Sequence, residues 1–533
     1  DSEHGERSWL VFADESGFGD ALADRLRGMG QRVRTVRHRP VDALTEGAAG
    51  YAVHPRSPDQ LRELFKTHLE RDGELAGVVN CWPLDTSAPT GQEFGVYPIL
   101  LTRTPYGADR ASSKAHSSHL AAVLPRGDDI VAMSGYIRVY QDVRGKFDSE
   151  GAYVLSRPLH GPLNPSPIDN STDTYDTIAW LVKNTPETNG KVGLIGTSYP
   201  GFLVLMGLIN PHPALKAAVP IAPMVDTWKG DDWFHHGAFR QQYALDYAYD
   251  QTAAKGDSTL WRGSSDDYAA FLGAGSADEL GRFFGVDKLP FWQRLEAHPA
   301  YDAYWQNQAL DKLLAAQPLR VPTLHVHGLW DQEDIYGAIV AYAAMEPKDG
   351  RNNQNHLVLG PWNHGGCNGD GSALGPIHFN GDTGLWFRKN ILQPFLDQHL
   401  KDGAAKADTP PVLAYATGEN NWQRLPAWPV APPTQSLYLQ PDERLSFAPR
   451  AASGPSADDF DEYIADPAKP VPYRHGPIAA VYAKNSTWSR WLVDDQRDFA
   501  TRTDVLTYTS KALTAPVAVR GEEAAPVRGQ RKA

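Results

Sequence analysis

Short apolar runs alternate with amphipathic stretches through the middle of the chain. Strand-like runs lie at residues 97–102, 136–142, 191–196, 217–221, 321–326 and 356–359. Residues 174–184 have helical periodicity and offer Ile178, Trp180, Leu181 and Val182 for burial. Strands that alternate with helices in this way predict a mainly parallel sheet with helices on both faces.

The pattern differs at both ends of the chain and in one internal segment. Strand and helix patterns in the first 86 residues predict a small Rossmann-like α/β segment at 1–90. The alternation then predicts a central α/β domain at 93–426. Aromatic and Ala-rich helical stretches at 227–317 predict a helical cap inserted in that domain. Short strands broken by Pro and Gly predict a jelly-roll β domain at 427–533, which we expect to be partial.

Composition and charge exclude some classes of partner. The 533 residues include 51 basic and 64 acidic side chains, which gives a net charge of −13. Nucleic acid binding needs a basic surface, so we do not expect it. No apolar run approaches the ~18–20 residues that cross a membrane, so we expect no membrane contact. No signal-peptide pattern follows Asp1, and the sequence therefore leaves the compartment open. Cys81 and Cys367 are too few for a disulfide framework.

A pair of glycines near the start matches a nucleotide-binding turn only in part. Gly17 and Gly19 follow a strand pattern and precede a helix pattern, but Leu22 stands where the GxGxxG motif has its third glycine. A tight strand-to-helix turn explains the two glycines better. We therefore expect no bound cofactor.

Three polar segments, each after an apolar run, supply a serine, an acid and a histidine in that order. Ser198 lies between a strand-like run and a helix-like run, in the sequence Gly-Thr-Ser-Tyr-Pro-Gly. Asp331 and His364 follow the next strands, and loops after successive parallel strands converge over a nucleophile. The order of the three residues and the strand–turn–helix at Ser198 predict the α/β-hydrolase fold.

The chemistry of such a triad assigns each side chain a task. Ser198 is the candidate nucleophile, His364 is the base that takes its proton, and Asp331 holds the imidazole. The backbone N–H of Tyr199 is the natural donor to the oxyanion, and the hydroxyl of Tyr106 offers a second donor. Taken singly, these positions also suit a loop serine, a loop histidine, a helix-capping aspartate and a packed tyrosine.

Further acids surround the triad aspartate. Glu333 and Asp334 follow Asp331, and Asp231 and Asp232 lie just past the strand that follows the nucleophile helix. Acids that converge in a partly dry pocket repel each other unless a cation joins them, and a substrate ammonium group would do so. A solvated acidic turn is the structural alternative.

Metal binding is a weaker alternative for the histidines. His325 and His327 would point to the same face of a strand, and His235 and His236 lie beside acids. No third ligand stands at a spacing typical of zinc. We therefore expect no metal.

Several longer segments point to one family. They lie at 101–106, 136–146, 161–165, 230–234, 237–241, 328–334, 342–347 and 466–472. Through these segments, residues 96–515 resemble the α-amino acid ester hydrolases, relatives of cocaine esterase and the X-prolyl dipeptidyl peptidases. Pro200 departs from the family pattern, which has an acidic residue there.

The resemblance implies a function and a set of roles. Ser198, Asp331 and His364 would form the triad, with Tyr106 and the Tyr199 amide in the oxyanion hole. A carboxylate cluster, formed by Asp232, Glu333 and Asp334, would hold the α-ammonium group of a small-molecule substrate. Such enzymes hydrolyse α-amino acid esters and transfer the acyl group to β-lactam nuclei. The family is typically homo-oligomeric and periplasmic or secreted.

Other functions remain open from the sequence. A cocaine-esterase-like or X-prolyl peptidase activity would use the same triad. Residues 8–86 resemble the structural half of a polyketide synthase ketoreductase, through segments at 9–13, 50–52 and 77–85. A catalytically inert fragment of a polyketide synthase fusion is therefore an alternative of a different class.

Overall fold

The computed structural model describes residues 8–14, 17–39, 41, 43–47, 50–54, 57–72, 75–80, 96–113, 115, 117, 120–132, 134–230, 232–429, 435–449 and 460–519. The chain divides into two compact units, Asp1–Gly95 and Val96–Ala533. Within the described ranges, every helix is too short or too polar to span a membrane.

The first unit is a five-stranded sheet with two helices. Its elements are β1 (Ser8–Phe12), α1 (Phe18–Gly28), β2 (Arg32–His38), β3 (Thr45–Gly47), β4 (Gly50–Val53), α2 (Pro58–Asp72) and β5 (Leu75–Asn80). The strand order is β3-β4-β2-β1-β5, and only the pairing of β3 with β4 is antiparallel. Leu10, Val36 and Leu64 are buried in one apolar cluster of the sheet and α2. That this unit is a Rossmann-like segment stays a prediction.

The glycine pair of this unit serves the turn into α1. Gly17 has a φ of +91°, in the left-handed region, and a Cβ on Gly19 would lie 2.6 Å from the Cα of Ala13. The carboxylate of Asp14 accepts a hydrogen bond from the Gly19 N–H at 2.5 Å. An acid thus occupies the start of the helix where a nucleotide phosphate would bind, which favours the structural interpretation of both glycines.

The second unit is built on an eight-stranded mixed sheet. The strands of the whole second unit, including those outside the large sheet, are β6 (Tyr97–Thr104), β7 (Ile137–Asp142), β8 (Thr188–Thr197), β9 (Leu215–Ile221), β10 (Phe234–His235), β11 (Ala238–Phe239), β12 (Thr323–Gly328), β13 (Asn355–Gly360), β14 (Ala373–Leu374), β15 (Ile377–His378), β16 (Val412–Ala416), β17 (Asn421–Leu425), β18 (Tyr438–Gln440), β19 (Arg444–Ser446) and β20 (Thr509–Ser510). The order of the large sheet is β17-β16-β13-β12-β9-β8-β6-β7, and only β17 is antiparallel to its neighbour. The mainly parallel sheet predicted from the sequence is therefore confirmed.

Helices pack on both faces of this sheet. The helices of this unit are α3 (Ala108–Ala111), α4 (Leu120–Val123), α5 (Asn170–Asn184), α6 (Tyr199–Ile209), α7 (Gln241–Thr252), α8 (Asp267–Ala274), α9 (Ala277–Phe284), α10 (Pro290–Ala297), α11 (Ala303–Gln306), α12 (Leu310–Ala315), α13 (Gly337–Met345), α14 (Thr383–Phe387) and α15 (Gln393–Leu400), and those that cover the sheet include α5, α6 and α15. Successive side chains of β6 enter different clusters: Ile99 and Leu101 pack with α5 and α6, whereas Leu100 packs with α15. The sheet is therefore buried on both sides.

Helix α5 begins earlier than the sequence pattern suggested. The periodicity starts at 174, but the helix starts at Asn170 because Asp169 caps it. The Asp169 carboxylate accepts the Thr172 N–H at 2.8 Å, and the Thr172 hydroxyl accepts the Asp169 N–H at 2.9 Å. This reciprocal pair is a capping box, which satisfies donors that the first helical turn leaves free.

The segment predicted to form a cap contains the hairpin β10–β11 and the helices α7 to α12, between β9 and β12. Its core is aromatic, with Trp233, Tyr243, Phe291 and Trp292 buried. Beyond β17, the described residues form one sheet of three short strands, β18, β19 and β20. The jelly roll and the proposed domain limits stay predictions.

Candidate active site

Ser198 lies in a strained turn between β8 and α6. Its φ of +66° falls in the left-handed region, which residues other than glycine rarely adopt. A Cβ on Gly196 would lie 2.5 Å from the carbonyl carbon of Pro200, and one on Gly201 would lie 2.7 Å from the carbonyl oxygen of Ile221. Glycine is therefore needed on both sides of the turn. The turn presents Ser198 at the carboxyl end of β8 and the start of α6.

His364 and Asp331 are hydrogen-bonded to each other in the loops after β13 and β12. Nδ1 of His364 lies 2.9 Å from Oδ2 of Asp331 and 3.1 Å from its Oδ1. Oδ1 also accepts the backbone N–H groups of Glu333 and Asp334, at 2.8 and 2.9 Å. Burial raises the pKa of Asp331, but His364 and these hydrogen bonds lower it to about 2. Asp331 is thus an ionised and fixed partner of the imidazole.

Ser198 and His364 line the same cavity, which has a volume of about 820 Å³. Nε2 of His364 has no hydrogen-bond partner in the described part of the chain, so the bond to Ser198 Oγ is not formed. Oε2 of Glu333 lies 3.4 Å from this nitrogen. Catalytic hydrogen bonds often tighten only when substrate binds, so the shared cavity is the informative observation.

The two candidate oxyanion donors, Tyr106 and the backbone N–H of Tyr199, both lie close to Ser198. Tyr106 follows β6 and lines the cavity, and its hydroxyl is hydrogen-bonded to that of Tyr247 at 2.8 Å. Burial raises the pKa of Tyr106, and its interactions with the hydroxyls of Tyr247 and Ser198 oppose this, so the phenol is a neutral donor. Tyr199 is the first residue of α6, so its N–H has no partner within the helix. The phenol of Tyr199 is buried, and its oxygen accepts the Ser156 N–H at 3.0 Å.

Three buried carboxyl groups, those of Asp232, Glu333 and Asp334, form an acidic pocket beside His364. Their exposed fractions are 2%, 7% and 1%. Ligand atoms of Glu333, Asp334 and His364 lie within 4.8 Å of one another. Burial raises the pKa of Glu333, and burial together with the Asp232 carboxyl raises the pKa of Asp334 well above its usual range.

Two members of the acidic pocket, Glu333 and Asp334, have few partners for their charge. Neither oxygen of Asp334 accepts a hydrogen bond from the described residues. Among the same residues, no Lys or Arg nitrogen lies within 4.0 Å of the carboxylate oxygens of Glu333 or Asp334. His364 is the one basic side chain within that distance. Buried carboxylates without donors or counter-charge are costly. The pocket is therefore suited to a cation that carries N–H groups.

The histidines considered for metal binding lie elsewhere. His325 is buried in β12, bonds Asn355 at 3.1 Å, and has a pKa lowered by burial to about 3. His327 is buried in the same strand, whereas His235 and His236 are exposed. In the described ranges, Glu333, Asp334 and His364 are the one group of potential ligands close enough to share an ion. An ammonium group fits it better, because Nδ1 of His364 is engaged by Asp331 and a metal on Nε2 would remove the base.

Four of the predicted site residues reach the cavity wall and four lie behind it. Tyr106, Ser198, Glu333 and His364 line the cavity. Asp331, Tyr199, Asp232 and Asp334 are buried next to them. The neighbouring Asp231 lies outside the described residues.

Sequence reasoning missed three residues that support the site. Arg240, just before α7, donates to the carbonyl oxygens of Gln332 and Glu333 at 2.5 and 3.0 Å. The side-chain oxygen of Gln332 accepts a hydrogen bond from the backbone N–H of His364 at 3.1 Å. The hydroxyl of Tyr247 is hydrogen-bonded to that of Tyr106, as described above. No short motif marks these roles. The available signal was that Arg240 and Gln332 each lie in a segment that carried the family resemblance.

A serine at a strained strand-to-helix turn, an aspartate-bound histidine and a mainly parallel sheet define an α/β-hydrolase. The family model described as X-Pro dipeptidyl-peptidase (S15 family) matches residues 84–366. The chain belongs to this family, and it is a serine ester hydrolase.

The most informative relatives are of three kinds. A solved alpha-amino acid ester hydrolase is 52% identical, with a TM-score of 0.77, over 81% of this chain and 70% of its own. A solved aminopeptidase from a marine sediment archaeon (Thaumarchaeota archaeon) is 54% identical, with a TM-score of 0.74, over 78% of this chain and 67% of its own. Cocaine esterase from Rhodococcus sp. (strain MB1 Bresler) is 27% identical over 448 residues, which are 80% of this chain and 72% of its own. The resemblance to the α-amino acid ester hydrolases is therefore confirmed.

Proposed function

We propose that the chain hydrolyses esters and amides of α-amino acids through an acyl-enzyme and selects a protonated α-amino group. The observation that carries this proposal is Asp334, a buried carboxyl group that lies against the carboxyl of Asp232 and whose oxygens accept no hydrogen bond from an N–H or hydroxyl group of the described residues. It lies beside Glu333, and its pKa is raised by burial and by Asp232. A substrate ammonium group supplies three N–H donors and one positive charge.

The proposed reaction uses the triad in two steps. Ser198 Oγ attacks the carbonyl carbon while His364 Nε2 takes the hydroxyl proton. The oxyanion that forms accepts hydrogen bonds from the Tyr106 hydroxyl and from the Tyr199 backbone N–H. His364 then gives its proton to the leaving alcohol or amine, and the acyl group stays on Ser198. Water attacks the acyl-enzyme in the same manner, while Asp331 remains ionised and holds the imidazole.

Two relatives of high identity support this choice of substrate. By their names, one acts on α-amino acid esters and the other is an aminopeptidase. Both kinds of substrate carry an amino group next to the scissile carbonyl, so both would present an ammonium to the acidic pocket. A cocaine-esterase-like or X-prolyl peptidase activity is the alternative within the same family.

The proposal extends to acyl transfer. An amine that replaces water as the second nucleophile would take the acyl group, and a β-lactam nucleus is such an amine. A cavity of about 820 Å³ has room for an amino acyl group and a bicyclic acceptor. From the same family resemblance we propose a homo-oligomer that is periplasmic or secreted.

A matched pair of esters tests the amine selection. Alanine methyl ester and methyl isobutyrate differ by an ammonium group in place of a methyl group. Two charge-assisted hydrogen bonds contribute about 3 kcal/mol or more, so we expect kcat/KM at pH 6.5 to favour the amino ester about 100-fold. Asp334→Asn should raise KM for the amino ester and spare the neutral ester.

The control for this test is Glu346→Gln. Glu346 accepts a hydrogen bond from Asn355 at 2.9 Å and does not line the cavity, so its loss should leave the ratio of the two esters unchanged. Equal losses on both esters in Asp334→Asn would contradict amine recognition.

Labelling with a fluorophosphonate separates an enzyme from an inert fragment. We expect one adduct, on Ser198, that Ser198→Ala abolishes. Ser8 provides the matched control, because its hydroxyl lies 2.8 Å from His68 Nε2 but is 1% exposed and lines none of the cavities described. Ser8→Ala should leave labelling unchanged. A folded protein without an adduct on Ser198 would favour the inert alternative.

A further inference from the structure

The catalytic base lies between two sets of carboxylates. Nδ1 of His364 bonds Asp331 at 2.9 Å, as a triad requires. Its other nitrogen, Nε2, must face Ser198 Oγ for catalysis, yet Oε2 of Glu333 lies 3.4 Å from it. Nε2 is buried and has no hydrogen-bond partner in the described part of the chain. Glu333 therefore competes electrostatically for the atom that has to accept the serine proton.

The ionisable groups around His364 are mainly acidic. They are Asp331, Glu333 and Asp334 after β12, Asp232 after β9, His327 in β12, Arg240 before α7, Tyr106 after β6 and Cys367 after the histidine itself. Burial lowers the pKa of His364, but Asp331, Glu333 and Asp334 raise it to about 10. Below that pH the free protein holds an imidazolium, which has no lone pair for the Ser198 proton.

A cation in the acidic pocket would reverse this balance. Its charge would neutralise Glu333 and Asp334 and repel the imidazolium, and both effects favour the neutral imidazole. We propose that Glu333 is a specificity-determining residue that keeps His364 protonated until a substrate ammonium group occupies the acidic pocket. This inference rests on the proposed function, because it requires that an ammonium group binds there.

The proton balance of this device is explicit. When the ammonium binds, the Nε2 proton of His364 leaves for solvent, and the substrate keeps its own proton. Nε2 then accepts the Ser198 proton as Oγ attacks, and returns it to the leaving alcohol. A neutral ester of the same shape brings no charge, so its complex keeps His364 protonated at neutral pH. Amine selection would thus act on kcat as well as on KM.

Calorimetry measures the proposed proton release directly. Ser198→Ala, which binds without turnover, is titrated at pH 6 with alanine methyl ester in two buffers of different ionisation enthalpy. The α-amino group is fully protonated at this pH, since its usual pKa is about 8. The proposal predicts a net release of protons on binding of the amino ester, and a smaller release in the double variant Ser198→Ala/Glu333→Gln. Methyl isobutyrate should release none.

The outcomes separate the two proposals. Binding of the amino ester without proton release would overturn the role given to Glu333 and leave amine recognition intact. Proton release that is not diminished by Glu333→Gln would also overturn that role. If the amino ester binds no better than methyl isobutyrate, both proposals fail.

Kinetics give a second, independent readout. Removing a carboxylate about 4 Å from an imidazole lowers its pKa by roughly one to three units. Glu333→Gln should therefore raise kcat/KM for methyl isobutyrate at pH 6 by about tenfold or more, while lowering it for the amino ester. Glu346→Gln is the control and should change neither. A parallel loss on both esters in Glu333→Gln would contradict the proposal.

Discussion

Replacing Asp334 by asparagine should make the protein more stable and a poorer enzyme. Asp334 is 1% exposed, neither of its oxygens accepts a hydrogen bond from the described residues, and burial and Asp232 raise its pKa well above the usual range. An ionised carboxylate in that environment is destabilising. Asparagine has nearly the same shape, no charge, and N–H groups that can donate to the neighbouring carboxylates.

The size of the gain follows from the cost of an unsatisfied buried group. That cost is about 1–3 kcal/mol, so we expect Asp334→Asn to raise the free energy of unfolding by about this amount at neutral pH. The pKa of Asp334 is higher in the folded protein than its unfolded value near 3.9, so its penalty is absent below about pH 4. The penalty develops as the pH rises through the folded-state pKa, and the gain should therefore be larger at pH 8 than at pH 5.

Denaturant unfolding at pH 5 and pH 8 measures this gain, with Asp349→Asn as the matched control. Asp349 is also buried, but its Oδ2 accepts the N–H groups of Gln354 and Asn355 at 2.7 and 2.9 Å. Its replacement should lower the free energy of unfolding by about 1–3 kcal/mol. A loss of stability in Asp334→Asn as large as that in Asp349→Asn would refute the reasoning, and so would a gain that does not depend on pH.

Three further predictions concern the triad and its supports. Burial lowers the pKa of His364, but the surrounding carboxylates raise it to about 10. The stabilising contribution of His364 is therefore complete below pH 6.5 and lost as the pH rises through about 10. The difference in unfolding free energy between the wild type and His364→Asn should shrink over that window, and a constant difference would contradict this. Tyr247→Phe removes the hydroxyl bonded to Tyr106 at 2.8 Å, so kcat should fall about 5–10-fold with little change in KM, and a Tyr106→Phe background should abolish the effect. Gly201→Ala places a Cβ 2.7 Å from the Ile221 carbonyl oxygen and should cost about 1–3 kcal/mol of stability and most fluorophosphonate labelling; unchanged labelling would argue against a tightly packed turn.

The mainly parallel sheet and the meeting of the triad candidates at its edge could be predicted because they follow from local rules. Parallel strands end at one edge of a sheet, so residues that follow successive strands meet there, as His364 and Asp331 do. Two glycines around Ser198 indicated a turn with no room for side chains, and the structure places backbone atoms within 3 Å of each missing Cβ.

The rest of the site depends on tertiary contacts that leave little trace in the sequence. Tyr247 and Arg240 belong to the segment between β9 and β12, and their partners lie 141 and 93 positions away along the chain. The early start of α5 was readable in principle, since Asp169 and Thr172 have the spacing of a capping pair. The proposed competition of Glu333 for His364 Nε2 rests on the 3.4 Å between that nitrogen and Glu333 Oε2, and no sequence motif indicates this distance.

Geometry alone would also have been misleading. Ser8 lies 2.8 Å from His68 Nε2, and Asp72 lies 3.4 Å from the other ring nitrogen, so the first unit contains a second serine–histidine–aspartate arrangement. Ser8 and His68 are 1% and 0% exposed, and neither lines a cavity described above. Ser198 differs in its strained turn, its cavity and its neighbouring candidate oxyanion donors, and these features favour it over Ser8 as the proposed nucleophile.

The central claim is that Ser198 is the nucleophile of an enzyme that selects a protonated amine. One measurement tests both parts. Diphenyl 1-aminoethylphosphonate and its neutral isostere, diphenyl isopropylphosphonate, are reacted with the protein at pH 6.5, and their rates of modification are compared. Peptide mass spectrometry then identifies the modified residue. The account predicts modification of Ser198 by both compounds, with the amino compound reacting about tenfold faster or more. Modification at another residue, or equal rates for the two compounds, would contradict it.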